Sequence, residues 1–495
     1  MKTTKDAIRQ NMNELHFTKA LSLLADVKED ERDAEYWYES GICHSSIYAA
    51  RQAKQDFLKA LASNPSPRLA SKIRLRLVHL YTQSGEIEQA EKTYAELKHN
   101  RENGPMAECL LYGALLYYEK GSLDQALDLA LKLAKSDDPD LGKLRCEAWT
   151  LAGDLYSAKD DFDKALKCYD QALRLLDFLP PNWRPLRKAL ILNNLADIYE
   201  QFEHWPEAAG VYGQAWKSIQ EIEDEEIYDL NGYKLEILLS MANFYALQDA
   251  LEQAGSILKK AVPLAEAMEM PMILYWKSRI NYIGGLCELY AENPKLDPFD
   301  KLFEAWKLQE KFLSLSVASS REYLGRTAYY AAYCYNEKKA EGVSQKYLYA
   351  QALRLFGQCF FKDPKFFLFS IASVENELGT LEQRDSPVRA RDLYAQSAQG
   401  FKSYLRRWPD DMLAQTSLLA VLLNLIAVLD DRQIEEYGRQ ILDLFEKTLI
   451  AVRHDPEARL QAEEALGRLL DDDRLYKHFA SRLEEMHGLL FSIEH

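Results

Sequence analysis

Paired cysteines, long apolar runs and an excess of positive charge are all missing from this sequence of 495 residues. The seven cysteines are scattered and form no Cys-x-x-Cys pair, which is typical of small core residues in a reducing cytoplasm. The most apolar run, Ser417–Leu429, is too short to span a bilayer. Because the first residues also lack the apolar core of a signal peptide, we expect a cytoplasmic protein that is neither secreted nor inserted in a membrane.

Basic residues are too few to cover a polyanion. The 61 lysines and arginines are outnumbered by 77 acidic residues, which gives a formal net charge of -16. A surface that binds nucleic acid or an anionic membrane needs a stripe of basic residues, so neither partner is expected. The richest basic stretch, Lys72–Arg76, alternates with apolar residues and is interpreted as a solvated helix edge.

The sequence also lacks the motifs that carry catalysis. None of its nine histidines pairs with another histidine or a cysteine at a metal-ligand spacing, so no metal is expected. The pair Gly284-Gly285 lies in an apolar helical pattern and lacks the further residues of a phosphate-binding loop. A nucleophile elbow is absent as well. We therefore expect a protein without enzymatic activity and without a cofactor.

What the sequence does contain is a repeated alternation of large and small side chains at helical spacing. Between residues 149 and 172, the large and small residues lie on one face of a first predicted helix and, after a short polar break, on one face of a second. Small residues let the two helices approach each other, while aromatic rings fill the flanking volume. The anchor residues are Trp149, Ala152, Gly153, Tyr156, Ala165, Tyr169 and Ala172.

These anchors resemble the tetratricopeptide repeat (TPR), a helix hairpin with Trp, Leu, Gly, Tyr, Ala, Phe, Ala and Pro at fixed positions. A second strong copy runs from Trp37 to Pro65, with the same 12-residue spacing between its glycine and its first alanine. Later copies lie at 195–215 and 241–261, and the linkers 179–185 and 221–226 lengthen their period. These longer repeats are similar to those of kinesin light chains and of bacterial TPR sensors.

Beyond residue 268 the anchors fade, while helical spacing and proline breakers continue. The sequence therefore predicts four parts: a degenerate N-terminal hairpin (1–33), a recognisable TPR array (34–268), divergent TPR-like hairpins (269–455) and C-terminal capping helices (456–495). The alternation typical of strands is absent. The predicted fold is all-α, a right-handed α-solenoid of about a dozen TPR-like helix hairpins.

In the TPR family, the first helix of each hairpin lines a concave groove with the residues that flank the glycine and tyrosine anchors. The resemblance implies a groove whose amides bind an extended backbone and whose carboxylates favour lysine or arginine on a protein or peptide partner. The predicted partner-binding residues are Thr150, Asp154, Ser157, Asn193, Asp197, Glu200 and Asn243.

The earlier copies place apolar and aromatic residues at the same positions. A patch of this kind marks an interface when it is exposed, and self-association is the competing explanation. The solenoid's own superhelical turn could equally cover it. The residues of this predicted apolar interface are Tyr38, Ile42, Leu75, His79, Leu111, Leu115 and Tyr118.

The predicted function is a non-catalytic scaffold or adaptor that binds a partner segment in the concave groove. One alternative is a peptide-responsive regulator whose superhelix changes on ligand binding, although such regulators carry an N-terminal effector domain and the helices here begin near Met1. The other is an enzyme with a site hidden in the divergent half. The densest polar aromatic cluster of that half is Tyr329, Tyr330, Tyr333 and Tyr335.

Overall fold

The computed structural model describes residues 2–47, 49–99, 106–223, 227, 229–315 and 321–491. Within these ranges the chain forms helices and no β-strand, and consecutive helices pack in pairs. The prediction of an all-α solenoid of helix hairpins is therefore confirmed. Two further predictions are only partly covered, because residues 224–226 of the acidic linker and 492–495 of the predicted cap lie outside the described residues.

Twelve hairpins, each an odd-numbered first helix followed by an even-numbered second helix, make up the described chain. The helices are α1 Lys2–Asn13, α2 Phe17–Ala25, α3 Ala34–Ser46, α4 Ala50–Ala62, α5 Pro67–Ser84, α6 Ile87–His99, α7 Met106–Glu119, α8 Leu123–Ala134, α9 Gly142–Ala158, α10 Phe162–Arg174, α11 Arg184–Gln201, α12 Trp205–Gln220, α13 Leu230–Leu247, α14 Leu251–Glu266, α15 Met272–Tyr290, α16 Pro298–Leu315, α17 Arg321–Tyr333, α18 Gln345–Cys359, α19 Pro364–Glu382, α20 Pro387–Leu405, α21 Met412–Ala427, α22 Asp431–Val452, α23 Pro456–Leu470 and α24 Asp473–Phe491.

The turn between first and second helix has the same geometry in five consecutive hairpins. In each, the carbonyl of the tyrosine anchor accepts a hydrogen bond from the backbone N–H five residues later, at 2.8–2.9 Å. A residue with a φ of 57° to 77° makes this possible, because a left-handed residue after a helix redirects the chain. The left-handed residues are Gly85, Gly121, Asp160, Glu203 and Asp249.

Close contact between small and large side chains holds the hairpins together, as the anchors predicted. A Cβ atom added at Gly153 would lie 2.6 Å from the ring of Tyr169, which is completely buried. The divergent half contains the same contact, since a Cβ at Gly379 would lie 2.6 Å from the ring of Tyr394. Packing of the TPR kind therefore continues where the sequence anchors fade.

The chain divides into two compact units, Met1–Ser320 and Arg321–His495. Unit 1 contains α1–α16, and unit 2 contains α17–α24. The second unit has its own hydrophobic core, which includes Phe401, Phe445 and the last buried residue, Met486. The predicted limits at residues 33, 268 and 455 concern the clarity of the repeat in the sequence, and they stay predictions.

The turn of the first hairpin reaches a distant part of unit 1. Leu15 is only 6% exposed and belongs to the same hydrophobic cluster as Leu186 and Leu230. Trp183 Nε1 donates a hydrogen bond of 2.9 Å to the backbone carbonyl of Asn13, a residue 170 positions away. We call residues 13–17 the N-terminal tip. Because the tip contacts the start of α11, unit 1 turns back on itself within six hairpins.

Candidate partner-binding groove

The first helices of unit 1 lie side by side and are joined by polar contacts between neighbours. These contacts place the polar stripe of each first helix next to that of the following hairpin. We call this surface the first-helix face. The bridging pairs are Arg76 to Tyr112 (2.6 Å), Arg187 to Glu147 (2.6 Å), Ser157 to Gln201 (2.5 Å), Asn193 to Ser240 (3.4 Å) and Arg279 to Glu236 (2.6 Å).

Asp154, on α9, combines packing with an acidic side chain on this face. The buried hydroxyl of Tyr169 donates a hydrogen bond to Asp154 Oδ1. Burial raises the pKa of Asp154 to about 6, and the hydrogen bonds from Tyr169 and Asn194 oppose that rise only in part. Among the described residues no cation forms an ion pair with Asp154, so hydrogen bonds alone stabilise its charge at neutral pH.

Asp197 and Glu200 share a single hydroxyl group. The hydroxyl of Tyr212 lies 2.5 Å from Asp197 Oδ1 and 2.8 Å from Glu200 Oε2. A hydroxyl has one proton to donate, so it serves one carboxylate at a time. The surrounding protein removes water from the carboxylate of Asp197, and this desolvation raises its pKa well above the usual range. The charge of Glu200 raises it further. The side chain of Asp197 nevertheless remains open to solvent.

The neighbouring first helices add one more carboxylate and one cation. Glu236 further raises the pKa of Asp197, while Arg279 lowers it. Arg279 is 4% exposed, and its Nη1 donates to Glu236 Oε2 at 2.6 Å. We call Asp154, Asp197, Glu200 and Glu236 the acidic strip. Within the described residues, Arg279 forms an ion pair with one of these four carboxylates, Glu236.

The other predicted groove residues have different surroundings. Ser157 and Asn193 are each 3% exposed and bridge neighbouring first helices. Thr150 Oγ1 donates to the carbonyl of Cys146 within its own helix. Asn243 is half-buried on α13. Whether any of these binds a partner stays a prediction, and Ser157 and Asn193 would have to do so through the residues they position.

The predicted apolar interface is built into the packing of unit 1. Leu75 and Leu111 are 2% and 4% exposed and lie in hydrophobic cores. The ring of His79 lies against that of Tyr112 at a tilt of 40°, with centroids 5.0 Å apart, and burial lowers the pKa of His79 to about 4. The other members of the set, which are half-buried, are Tyr38, Ile42, Leu115 and Tyr118. None of the seven forms an open apolar surface, so their role as an interface stays a prediction.

Sequence reasoning missed a group of basic residues, two of which lie in the first turns of α9 and α11 and the third near the middle of α5. Lys143 Nζ lies 3.8 Å from the ring centroid of Trp183, and Arg187 pairs with Glu147. Arg76 is half-buried on the face, so its interpretation as a solvated helix edge is wrong. Helical spacing in the sequence was the signal that could have revealed Lys143, because residues 143, 147, 150 and 154 lie on one face of α9.

The raised pKa of Asp154 predicts a pH-dependent effect of Asp154→Asn. Between pH 4 and pH 6 the unfolded carboxyl ionises before the folded one, so rising pH favours the unfolded state. The amide cannot ionise, but its oxygen still accepts from Tyr169. Relative to wild type, we expect the variant to gain about 2 kcal/mol between pH 4 and pH 7. Urea denaturation across this range measures the gain. The surface substitution Asp128→Asn is the control, and equal pH profiles for both variants would contradict the prediction.

Metal-binding clusters and membrane-spanning helices are both absent from the described residues. Across residues 2–491, outside the gaps named above, no three His, Cys, Asp or Glu side chains are arranged to hold a metal ion. In the same ranges, no helix combines the length and apolar character needed to cross a membrane.

A comparison with known protein families matches the α9–α10 hairpin, whose anchors first showed the repeat. The family model "Tetratricopeptide repeat" matches residues 146–177, which include most of α9 and all of α10. No curated protein matches the chain in sequence.

Three solved structures of similar helical proteins are distant in sequence. A Rap protein complexed with competence and sporulation factor is 15% identical, with a TM-score of 0.40, and the match covers 73% of this chain and 100% of that chain. The apo form of RapI is 14% identical, with a TM-score of 0.40 and coverages of 82% and 99%. A monomeric mutant of IFIT1 with m7Gppp-AAAA is 14% identical, with a TM-score of 0.41 and coverages of 94% and 99%.

The family match, the repeated turn at the tyrosine anchors and the close contact of small and large side chains agree. The resemblance inferred from the anchors is thereby confirmed: residues 146–177 match the tetratricopeptide repeat, and the described chain consists of TPR-like helix hairpins.

Proposed function

We propose that unit 1 is a non-catalytic scaffold that binds an extended protein segment on its first-helix face, with a lysine or arginine of the segment against the acidic strip. The observation that carries the proposal is the pair Asp197 and Glu200 on the single hydroxyl of Tyr212. A side chain with several N–H donors and a positive charge can bind both carboxylates at once.

Electrostatics supports a cationic ligand in particular. A raised carboxyl pKa means that the free protein resists the ionised form, and a nearby cation reverses that preference. Binding a basic side chain would therefore recover free energy that the unliganded face lacks. The excess of acidic residues over the chain would also steer a basic segment toward it at low salt.

The tyrosine cluster on which the enzyme alternative depended has a structural role in unit 2. In unit 2, Tyr329 packs against Phe356 with ring centroids 6.0 Å apart, and Tyr335 donates its hydroxyl proton to the carbonyl of Val343 at 2.8 Å. These contacts account for two of the clustered tyrosines through packing and a turn. They support a scaffold without catalysis, as helical repeat arrays commonly are.

Charge reversal tests the proposal. We expect the double substitution Asp197→Lys and Glu200→Lys to lower the affinity for lysine-containing octapeptides at least tenfold, measured by fluorescence anisotropy with labelled, end-capped peptide pools. The matched control is Asp128→Lys with Asp170→Lys, which makes the same change of charge on exposed second-helix positions. Circular dichroism would verify the helix content of both variants.

Two results would overturn the proposal. One is equal binding of wild type and the Asp197/Glu200 variant. The other is equal binding by wild type of pools in which every lysine is replaced by glutamine. A loss of affinity in the control variant of the same size would show that the net charge of the chain, and not the acidic strip, attracts the peptides.

A further inference from the structure

The charges on α9 and α11 lie at the ends where a helix tolerates them least. The partial positive charge at a helix N-terminus favours acidic residues there, and the C-terminus favours basic ones. Lys143 is the second residue of α9, Arg187 is in the first turn of α11, and Glu200 is the penultimate residue of α11. Neither helix has an acidic residue in its first turn or a basic one in its last turn.

This inverted arrangement costs stability, because each of these charges is repelled by the partial charge of its helix end. Two neighbouring first helices repeat it on the face that carries the acidic strip. A ligand that binds these charges would offset the loss of stability in both helices at once. Internal contacts supply part of this compensation, since Arg187 pairs with Glu147 and Arg279 pairs with Glu236.

The basic residues form a second strip parallel to the acidic one. Lys143 lies over the ring of Trp183 at 3.8 Å, and Arg76 donates to the hydroxyl of Tyr112 at 2.6 Å. Aromatic and hydroxyl contacts hold both cations in position without neutralising them. We call Arg76, Lys143 and Arg187 the basic strip.

Among the described residues, one of the three cations of the basic strip, Arg187, forms an ion pair. In the part of the chain that the structure describes, neither Arg76 nor Lys143 belongs to an ion pair, and Glu147 is bound to Arg187. Glu108 lies near Tyr112, and Asp229 lies near Tyr233 together with Arg187. Burial lowers the pKa of Lys143, and Arg187 and Arg76 lower it further against the opposing charge of Glu147.

The distance between the two strips follows from helix geometry. Lys143 and Asp154 are separated by 11 positions on α9, and Arg187 and Asp197 by 10 positions on α11. At about 1.5 Å per residue, the strips are roughly 15 Å apart along the helix axes. An extended segment covers that distance in about four or five residues, at roughly 3.3–3.6 Å each.

We propose that the bound segment carries an acidic side chain four or five residues from its basic one, and that Arg76, Lys143 and Arg187 bind this carboxylate. This inference rests on the proposed function, because the acidic strip must first hold the basic residue. The two strips then fix the register of the segment, since only charges with this spacing reach both. The inverted helix charges are compensated in the bound state.

The test uses end-capped octapeptides of alanine, glycine and serine with one lysine and one glutamate. In the first peptide the charges are four positions apart, in the second they are adjacent, and in the third glutamate is replaced by glutamine. We expect wild type to bind the first peptide at least tenfold more tightly than the second and the third. Lys143→Gln with Arg187→Gln should abolish this difference and keep the preference for lysine. The control, Lys132→Gln with Lys167→Gln, changes exposed second-helix positions and should behave as wild type.

Failure of this inference is distinguishable from failure of the proposed function. Equal affinity of wild type for the first and third peptides, with continued dependence on Asp197 and Glu200, would overturn only the basic strip. Loss of the dependence on Asp197 and Glu200 would overturn both. An added arm separates two carboxylate sources: if the third peptide with a free C-terminus matches the first, the strip binds a chain terminus, and the proposed side-chain spacing is wrong.

Discussion

Gly153→Ala is expected to destabilise the protein by about 2 kcal/mol, although alanine is the better helix former. The added Cβ would lie 2.6 Å from Cε2 of Tyr169, well inside ordinary contact distance. Tyr169 cannot swing away, because it is completely buried and its hydroxyl is bound to Asp154. The methyl group therefore has to push α9 and α10 apart.

Gly213→Ala is the matched control, with the opposite expected sign. This glycine lies within α12, and, apart from its chain neighbours and its own helix backbone, no atom of the described residues lies within 4 Å of the position that a Cβ would take. Alanine should therefore stabilise the helix by about 0.5–1 kcal/mol. Urea denaturation monitored by circular dichroism measures both effects. Stabilisation by both substitutions would show that the two helices tolerate separation, and that close contact does not define the hairpin.

Leu15→Asp is expected to detach the N-terminal tip from α11 and to cost at least about 2 kcal/mol. Burying a leucine contributes about 1.5–3 kcal/mol, and a carboxylate in the same apolar cluster would have to remain in water instead. Leu15 also has a φ of 66°, so the tip adopts a conformation that only its contacts maintain. Its detachment would release the hydrogen bond from Trp183 to Asn13 as well.

Hydrogen exchange followed by mass spectrometry would locate this effect. Faster exchange is expected in α1, α2 and the first turns of α11, while α5–α8 should be unchanged. Leu58→Asp is the control, because Leu58 is 46% exposed on the second helix of its hairpin. Unchanged exchange at α11 in the Leu15 variant would contradict the contact between the first and sixth hairpins.

The same variant bears on the peptide-responsive alternative. A ligand can change the pitch of unit 1 only if it opens or reinforces contacts between distant hairpins. The N-terminal tip is such a contact, and it joins the basic strip through Trp183. A regulator would therefore show altered exchange at the tip when peptide binds, whereas a rigid scaffold would not.

Much of the fold could be predicted because it depends on contacts between residues close in sequence. Gly153 and Tyr169 are 16 positions apart, and the turn that joins their helices closes on the carbonyl of Tyr156. The pair Gly379 and Tyr394 makes the same contact but was missed, because the residues around it no longer follow the repeat. Close packing of the two helices requires one small and one large side chain at the contact, whereas the residues around that contact can vary.

The candidate site was predictable only in part. Family spacing placed Asp154 and Asp197 on the first-helix face, where the structure has them, but it could not show that Tyr212 lies between Asp197 and Glu200. It also grouped the buried residues Ser157 and Asn193 with exposed ones. Burial within a solenoid depends on how closely the next hairpin approaches, and that distance is not encoded in a single repeat.

By itself, the sequence determined the hairpins, because helical periodicity and the close contact of small and large residues act within about 20 positions. Tertiary structure decided which charges share a surface. Only the lateral packing of first helices brings Arg187 to Glu147, Arg279 to Glu236 and the N-terminal tip to Trp183. These partners are 40, 43 and 170 positions apart, so their meeting depends on the curvature that accumulates over several hairpins.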